Sequence, residues 1–396
     1  MPSRGIRAHR FRPALGAVTA MAALATAATG CAPDESGTDA KPSASGERQP
    51  VKDFDELRDE LGLPDKLPEK LPAALKDLDK WRDGAWKDWD RDDWLREARD
   101  FINPIIEDHW DPDRMGGARE NDRDVDESEI DEGVTDPEPA PVEAEAVPLP
   151  YTENAPPVGK VFMETPKGSM VCSGTVVKDP ENPGRSNLVA TAGHCVHAGS
   201  TGGWYRNVVF VPHFNDAGLK PSELADAEKN AVAPHGIWWA KQARTTDFWI
   251  ENGAHTGGKG APQDFAVLKV QPEDKSGTTL QETVGGAVRV DFGTPGVDGI
   301  DTLTANGYPA APPFKGERMF RCTDAPGRLT LDANQPTMYR IGCTMTGGSS
   351  GGGWLGADGR TLLSVTSIGP ITHGWLAGPR LGEEAKAVFD TVSRTG

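Results

Sequence analysis

The chain has 396 residues, enough for two or three domains, yet only 7% are aromatic and its formal net charge is -18. The charge is uneven: residues 32–150 hold 36 acidic against 16 basic side chains, residues 151–396 hold 24 against 22, and residues 1–31 carry only four arginines. A solvated acidic segment therefore precedes a near-neutral globular part. That part has no basic cluster, which argues against nucleic acid as a partner.

Arg4, Arg7, Arg10 and Arg12 form a basic start, and Pro13 to Gly30 is apolar or small throughout, as in an export signal spanning residues 1–30. The signal ends in "ATGC", Ala28 to Cys31, which resembles a bacterial lipobox, with Ala in place of the usual Leu three residues before the cysteine. Lipidation of Cys31 and ordinary signal cleavage nearby are both open. The first gives a lipoprotein on the outer face of the cell membrane, the second a secreted protein. Cys31 is the odd cysteine; the other four fall into local pairs, Cys172/Cys195 and Cys322/Cys343, expected to be disulfides in an exported chain.

Residues 31–70, rich in Pro, Ser, Gly, Asp and Lys, read as a tether. Residues 71–115 read as a Trp-rich amphipathic helical segment. Pro72 suits a first helical position, and Leu75, Leu78, Trp86 and Trp89 share an arc of about 80°. Trp81 and Trp94 lie off that stripe, and Gly84 weakens it. Such a helix can dock on the downstream domain as a pro-segment, lie on a membrane surface, recruit a partner, or serve as a solvated spacer. Residues 116–150, acidic and then Pro-rich, are expected to be a disordered linker.

From Tyr151 to the end, short runs such as "KVFMET", "VCSGTVV", "NVVFVPHF", "DFAVLKV" and "MYRIGC" recur between Gly, Pro, Asn and Asp. Many short strands between turn signals predict an all-β sandwich or barrel. A final helix is expected from Leu381 to Val392, with Ala385, Val388, Phe389 and Val392 on one face. Gly199 to Gly260, with Trp204, Trp238, Trp239 and Trp249, reads as an insertion that either extends a groove or forms a subsidiary apolar core.

Three stretches carry chemistry. In "NLVATAGHCV", His194 sits beside a cysteine with a partner upstream, so its position is fixed, as a general base requires. Asp264, before the apolar strand of "PQDFAVLKV", is by itself a turn residue; beside a catalytic histidine it would hold the imidazole tautomer. In "TMTGGSSGGGWLG", residues 344–356, glycines on both sides of a serine permit unusual backbone angles and let N–H groups converge on an oxyanion. The stretch runs from a cysteine into strand-forming residues, so it does not read as a flexible linker.

Thr191-Ala192-Gly193-His194-Cys195, Asp264-Phe265-Ala266-Val267-Leu268 and Gly348-Ser349-Ser350-Gly351-Gly352 resemble, in order, the signatures of trypsin-like (chymotrypsin-fold) serine peptidases. The likeness is greatest to the secreted bacterial branch that includes glutamyl endopeptidases. It implies a double six-stranded antiparallel β-barrel followed by the C-terminal helix, across residues 151–396. It implies His194, Asp264 and Ser350 as the catalytic triad, with the amides of Gly348 and Ser350 as oxyanion hole. Ser349 stands where animal members have an aspartate, so activation by an inserted N-terminus does not carry over. Counting back six residues from the nucleophile puts Thr344 at the base of the specificity pocket, with Thr366 and Ser367 of "SVTSIG" on its wall. With no acid there, small or apolar side chains are favoured over Arg or Lys; His373 has no assigned place. The expected activity is hydrolysis of peptide or protein substrates through an acyl-enzyme, by a monomer. No cofactor or metal is expected, because no metal-ligand cluster, phosphate loop or dinucleotide fingerprint is present. The rival reading is a catalytically silent member of the fold that serves as a surface binding module.

Overall fold

The computed structural model describes residues 103–396 except 104, 122, 131–133, 255, 257, 275 and 396. The signal at 1–30, Cys31, the tether at 31–70 and the helical pattern of 71–102 lie outside the described residues. No helix among the described residues is long and apolar enough to cross a membrane.

The first half of the globular part is a barrel built from local hairpins. Strands β1 (Val158–Thr165) and β2 (Gly168–Val177) pair from Val158↔Thr175 to Thr165↔Gly168, with Gly168 at φ 110 accommodating the turn. The barrel continues with β3 (Leu188–Thr191), β4 (Arg206–Pro212), β5 (Trp238–Thr245) and β6 (Ala266–Pro272). Their order is β2-β1-β4-β5-β6-β3, and pairing of β2 with β3 closes the ring. The closing pairing spans only Thr175–Val177, so the earlier part of β2 keeps an edge toward the N-terminal arm.

The second half uses β7 (Leu303–Gly307), β8 (Phe320–Asp324), β9 (Gly327–Leu329), β10 (Met338–Gly342), β11 (Gly353–Gly356), β12 (Thr361–Val365) and β13 (Trp375–Gly378). They form two ladders, β12-β11-β7-β8 and β9-β10-β13. The ladders share one core, in which Leu303, Ala305 and Trp354 from the first meet Tyr339, Ile341 and Leu376 from the second. The terminal helix, α1 (Glu383–Arg394), buries the predicted Ala385, Val388, Phe389 and Val392 against the first barrel.

Two expectations are corrected. The disordered linker expected at 116–150 is instead packed on the domain wherever it is described. Arg119–Glu120 pairs with Met170–Val171, Asp124–Val125 with Gly369–Pro370, and Glu145–Ala146 with Arg321–Phe320. Trp110, Met115, Val147 and Tyr151 cover Phe162, Val209, Val211 and Trp239 on the outer face of the first barrel. This explains why β1 is buried on both faces rather than alternating. Folding contacts therefore begin well before residue 151: the Asn103 side chain already bonds the backbone of Val208 and Ala240. The Gly199–Gly260 stretch is not an insertion either, since it supplies β4 and β5 of the barrel. Trp238 faces the barrel interior and Trp239 the covered outer face, as neighbours on a strand must. The core outcome, not the groove, holds for these two tryptophans.

Lys160 on β1 is 4% exposed, donates Nζ–H to the Gly316 carbonyl at 2.9 Å and lies over the Phe162 and Phe214 rings. Burial pulls its pKa from 10.5 down to about 7. The unfolded chain therefore binds a proton that the folded one lacks between those values, and stability rises with pH across that window. Lys160→Met is expected to be more stable than wild type near neutrality, with the gap shrinking by roughly 3 kcal/mol between about pH 7 and pH 10. Urea unfolding of both proteins at the two pH values measures it; a pH-independent gap would contradict the buried, deprotonating lysine.

Candidate active site

The first barrel delivers a histidine on a short, tightly held turn. β3 ends at Thr191 and the chain winds into the 3-10 turn Gly193–Cys195. Cys195 is bonded to Cys172 of β2, with Cα atoms 6.0 Å apart, so both ends of the turn are tied to the barrel. A glycine is needed before the histidine: a Cβ at Gly193 would lie 2.5 Å from Thr245 Oγ1, 2.8 Å from Trp249 Cγ and 3.0 Å from Asp264 Oδ1. The second predicted disulfide, Cys322–Cys343, joins β8 to the residue after β10.

Asp264 follows the 3-10 turn Ala261–Gln263, and Thr245 and Thr246 fix this loop through bonds to the carbonyls of Phe265 and Gln263. Its carboxylate is fully buried and heavily used. Oδ1 accepts the backbone N–H of His194 at 2.8 Å, and Oδ2 lies 2.7 Å from His194 Nδ1 and accepts Ser367 Oγ at 2.6 Å. Arg123 Nη1 stands 3.6 Å from Oδ2. Burial alone raises the Asp264 pKa, but His194, Arg123 and Ser367 outweigh it and hold the carboxyl below its ordinary value. An ionised Oδ2 can only accept, so Nδ1 carries a proton, and in the neutral imidazole the lone pair is the one on Nε2. Nε2 is buried and has no hydrogen-bond partner among the described residues.

Ser350 comes from the turn between β10 and β11, and that turn is seated on the histidine's barrel. A Cβ at Gly351 would fall 2.1 Å from Thr191 Oγ1 and 2.9 Å from the Ala192 nitrogen, so the chain at Ser350 abuts the chain leading to His194. Ser173, beside Cys172, joins the pieces. Its N–H donates to Ser350 O at 2.7 Å and its Oγ donates to Gly348 O at 2.9 Å. Its carbonyl accepts Thr191 Oγ1 at 2.8 Å, and its Oγ accepts the Tyr308 N–H at 2.9 Å. Gly348 adopts φ 94, where an added Cβ would sit 2.7 Å from Tyr308 O. The amides of Gly348 and Ser350 donate to no atom of the described residues.

The pocket beside Ser350 is lined by Met345, Thr346, Thr366, Ser367 and His373, with Asp124 of the N-terminal arm on one side. Thr366 and Ser367 line it, but Thr366 Oγ1 accepts Trp354 Nε1 and the Ser367 hydroxyl is spent on Asp264. Thr344 is corrected: it is not on the lining, and its Oγ1 and N–H bond Ala144 N and Val142 O of the arm. Counting residues from the nucleophile missed the turn that carries Thr344 away. The structure gives His373 a place, on the pocket wall at φ 54.

Sequence reasoning missed Ser173, Arg123, Asn121 and the position of Trp249. The Trp249 ring stands 6.1 Å from the His194 ring and its Nε1 bonds His197 O at 2.9 Å. Arg123 lies 4.6 Å over the ring. Of these, only Ser173 carried a signal, as a polar residue in an apolar strand beside a cysteine. His194 also lies near both sulfurs of Cys172 and Cys195, but these are bonded to one another and offer no thiolate to a metal.

No protein-family model matches the chain, and no curated protein matches it by sequence. Among solved structures it is similar to the thermostable serine protease AL20 from an extremophilic microorganism, at 31% identity over 61% of this chain and 98% of that one, TM-score 0.49. It is also similar to protease Anisep from Arthrobacter nicotinovorans, at 27% identity over 64% of this chain and 99% of that one, TM-score 0.48. A Glu endopeptidase matches at 18% identity over 65% and 97%, TM-score 0.41. With 31% identity running through 98% of the first of these, the chain belongs to the trypsin-like, chymotrypsin-fold serine peptidase family.

Proposed function

We propose that the protein is an exported serine endopeptidase in which Ser350 attacks the peptide carbonyl, His194 is general base and then acid, and Asp264 orients His194. The observation that carries this is the His194–Asp264 contact at 2.7 Å, with the second carboxylate oxygen on the His194 amide. It fixes the tautomer in which Nε2 is the basic nitrogen of the neutral ring, on a turn in contact with the Ser350 loop. In the proposed cycle Nε2 takes the Ser350 Oγ proton as Oγ bonds the carbonyl carbon, and the amides of Gly348 and Ser350 receive the oxyanion. The proton passes to the leaving amine, and water, activated by the same nitrogen, releases the acyl group.

Met345, Thr346 and Trp375 beside Ser350 offer no ionised group, which supports small or apolar residues at the cleavage site. The two disulfides support export, and Cys31 remains our candidate for a lipid anchor.

A fluorophosphonate probe tests the nucleophile. Because it bonds irreversibly, its endpoint counts every serine that becomes reactive even briefly. Peptide mapping of the full-length protein after prolonged exposure is expected to show modification at Ser350, absent in Ser350→Ala and reduced at least 100-fold in rate in His194→Ala. A folded, disulfide-bonded protein that never labels would instead be a binding module.

A further inference from the structure

Resting on the peptidase reading, we infer that residues 119–121 and 123–125 act as an autoinhibitory strap across the cleft, which must leave before a substrate can be cut. The strap crosses the site from one barrel to the other. Arg119–Glu120 adds a parallel strand to β2 at Met170–Val171, immediately before Cys172. Asp124–Val125 pairs in parallel with Gly369–Pro370, immediately after the pocket wall at Thr366 to Ile368.

Between these ends the strap holds the catalytic groups themselves. Asn121 is 3% exposed; its Nδ2 donates to His194 O at 2.8 Å and its N–H lies 3.4 Å from Val171 O. Arg123 places its guanidinium near both the Trp249 ring and Asp264 and bonds Lys259 O at 3.2 Å. Asp124 turns to the pocket, where it forms one wall of a cavity of about 10 Å³, roughly the room of a single water. Val125, 2% exposed, is sealed against Ile368, Trp375 and Ala377.

A peptide reacting at Ser350 must lay its backbone beside that pocket. Main-chain pairing to a free strand edge is how extended peptides are ordinarily held. Here the Gly369 N–H is directed at Arg123 O, at 3.4 Å, and the space for a side chain is closed. The strap and a substrate therefore compete for the same backbone groups and the same volume. The strap is also held by its own chain, so its effective concentration is high.

The test uses the full-length protein and the variants Asn121→Ala and Val125→Asp, singly and together; neither residue belongs to the proposed catalytic machinery. Three quantities are read: the rate of Ser350 labelling, turnover of an unfolded protein substrate, and hydrogen exchange at the Gly369 amide. Expected are at least tenfold faster labelling and turnover in the double variant, with faster exchange at Gly369, and at least threefold for Asn121→Ala alone. The single variant carries the test if the double one does not fold. Equal rates in wild type and variants, with Ser350 labelled in all, would overturn the strap and leave the peptidase intact. Unchanged exchange at Gly369 would overturn it regardless of activity. Absence of Ser350 labelling in every folded form would overturn both, since nothing is then left to inhibit.

Discussion

Asp264→Asn is expected to lower kcat about ten-thousand-fold while changing KM little. The reason is hydrogen-bond polarity. Oδ2 receives His194 Nδ1–H and the Ser367 hydroxyl, with Arg123 3.6 Å away. An amide that keeps its oxygen on the His194 backbone N–H must turn its NH₂ toward those donors. His194 can then meet it only by making Nδ1 the acceptor, which moves the ring proton to Nε2 and removes the base. Stability should fall as well, because the buried Arg123 guanidinium loses its carboxylate. That carboxylate's pKa lies below the ordinary value, so its contribution is complete above that value and disappears as pH falls through the native one. The stability gap between wild type and variant should therefore narrow on acidification. Steady-state kinetics paired with denaturation curves checks both effects. Adding Arg123→Gln should recover stability without recovering kcat, and turnover within tenfold of wild type in Asp264→Asn would refute the proposed role.

Gly351→Ala should also damage turnover, by less and for a geometric reason. At φ 77 the new Cβ would lie 2.1 Å from Thr191 Oγ1 and 2.5 Å from Ser173 O, so the Ser350 turn must back away from the histidine's barrel. A displacement of about 1 Å at reacting atoms costs on the order of 100-fold in rate. Overpacking and backbone strain together should cost about 3 kcal/mol. Gly359→Ala is the control: its φ is 62 but no atom lies within 4 Å of the added carbon, so about 1 kcal/mol and no change in kcat are expected. If both variants behave alike, backbone conformation rather than crowding at the barrel interface limits the site.

The parts of this protein that were legible beforehand are those in which one local pattern fixes one local structure. The short β-forming run "KVFMET" between turn signals and the 3.6 period of Ala385, Val388, Phe389 and Val392 gave β1 and α1. The small residues around His194 and Ser350 marked turns that glycine contacts explain. The N-terminal arm was misread because its attachment is sparse. Trp110, Met115, Val125 and Val147 are single anchors separated by acidic and proline-rich chain, with no period to betray them. Composition averages such anchors away. Asn121 and Arg123 were hidden for the opposite reason, since polar residues in an acidic run look solvated until a buried partner is known. Thr344 was misplaced because counting along a sequence assumes a backbone path that only the fold supplies. Short strands such as Gly327–Leu329 and Trp375–Gly378 gave little signal, being shorter than the window that periodicity requires.

The seat of α1 bears on how the protein is made. Leu381, Ala385, Val388, Phe389 and Val392 share a core with Val161, Leu188 and Val267 of the first barrel. A chain emerging from its N-terminal side therefore exposes part of that barrel's apolar surface until the last helix arrives. Truncation within α1 should cripple folding of the half that was synthesised first, and a peptide spanning Glu383–Arg394 supplied in trans is the natural means of rescuing it.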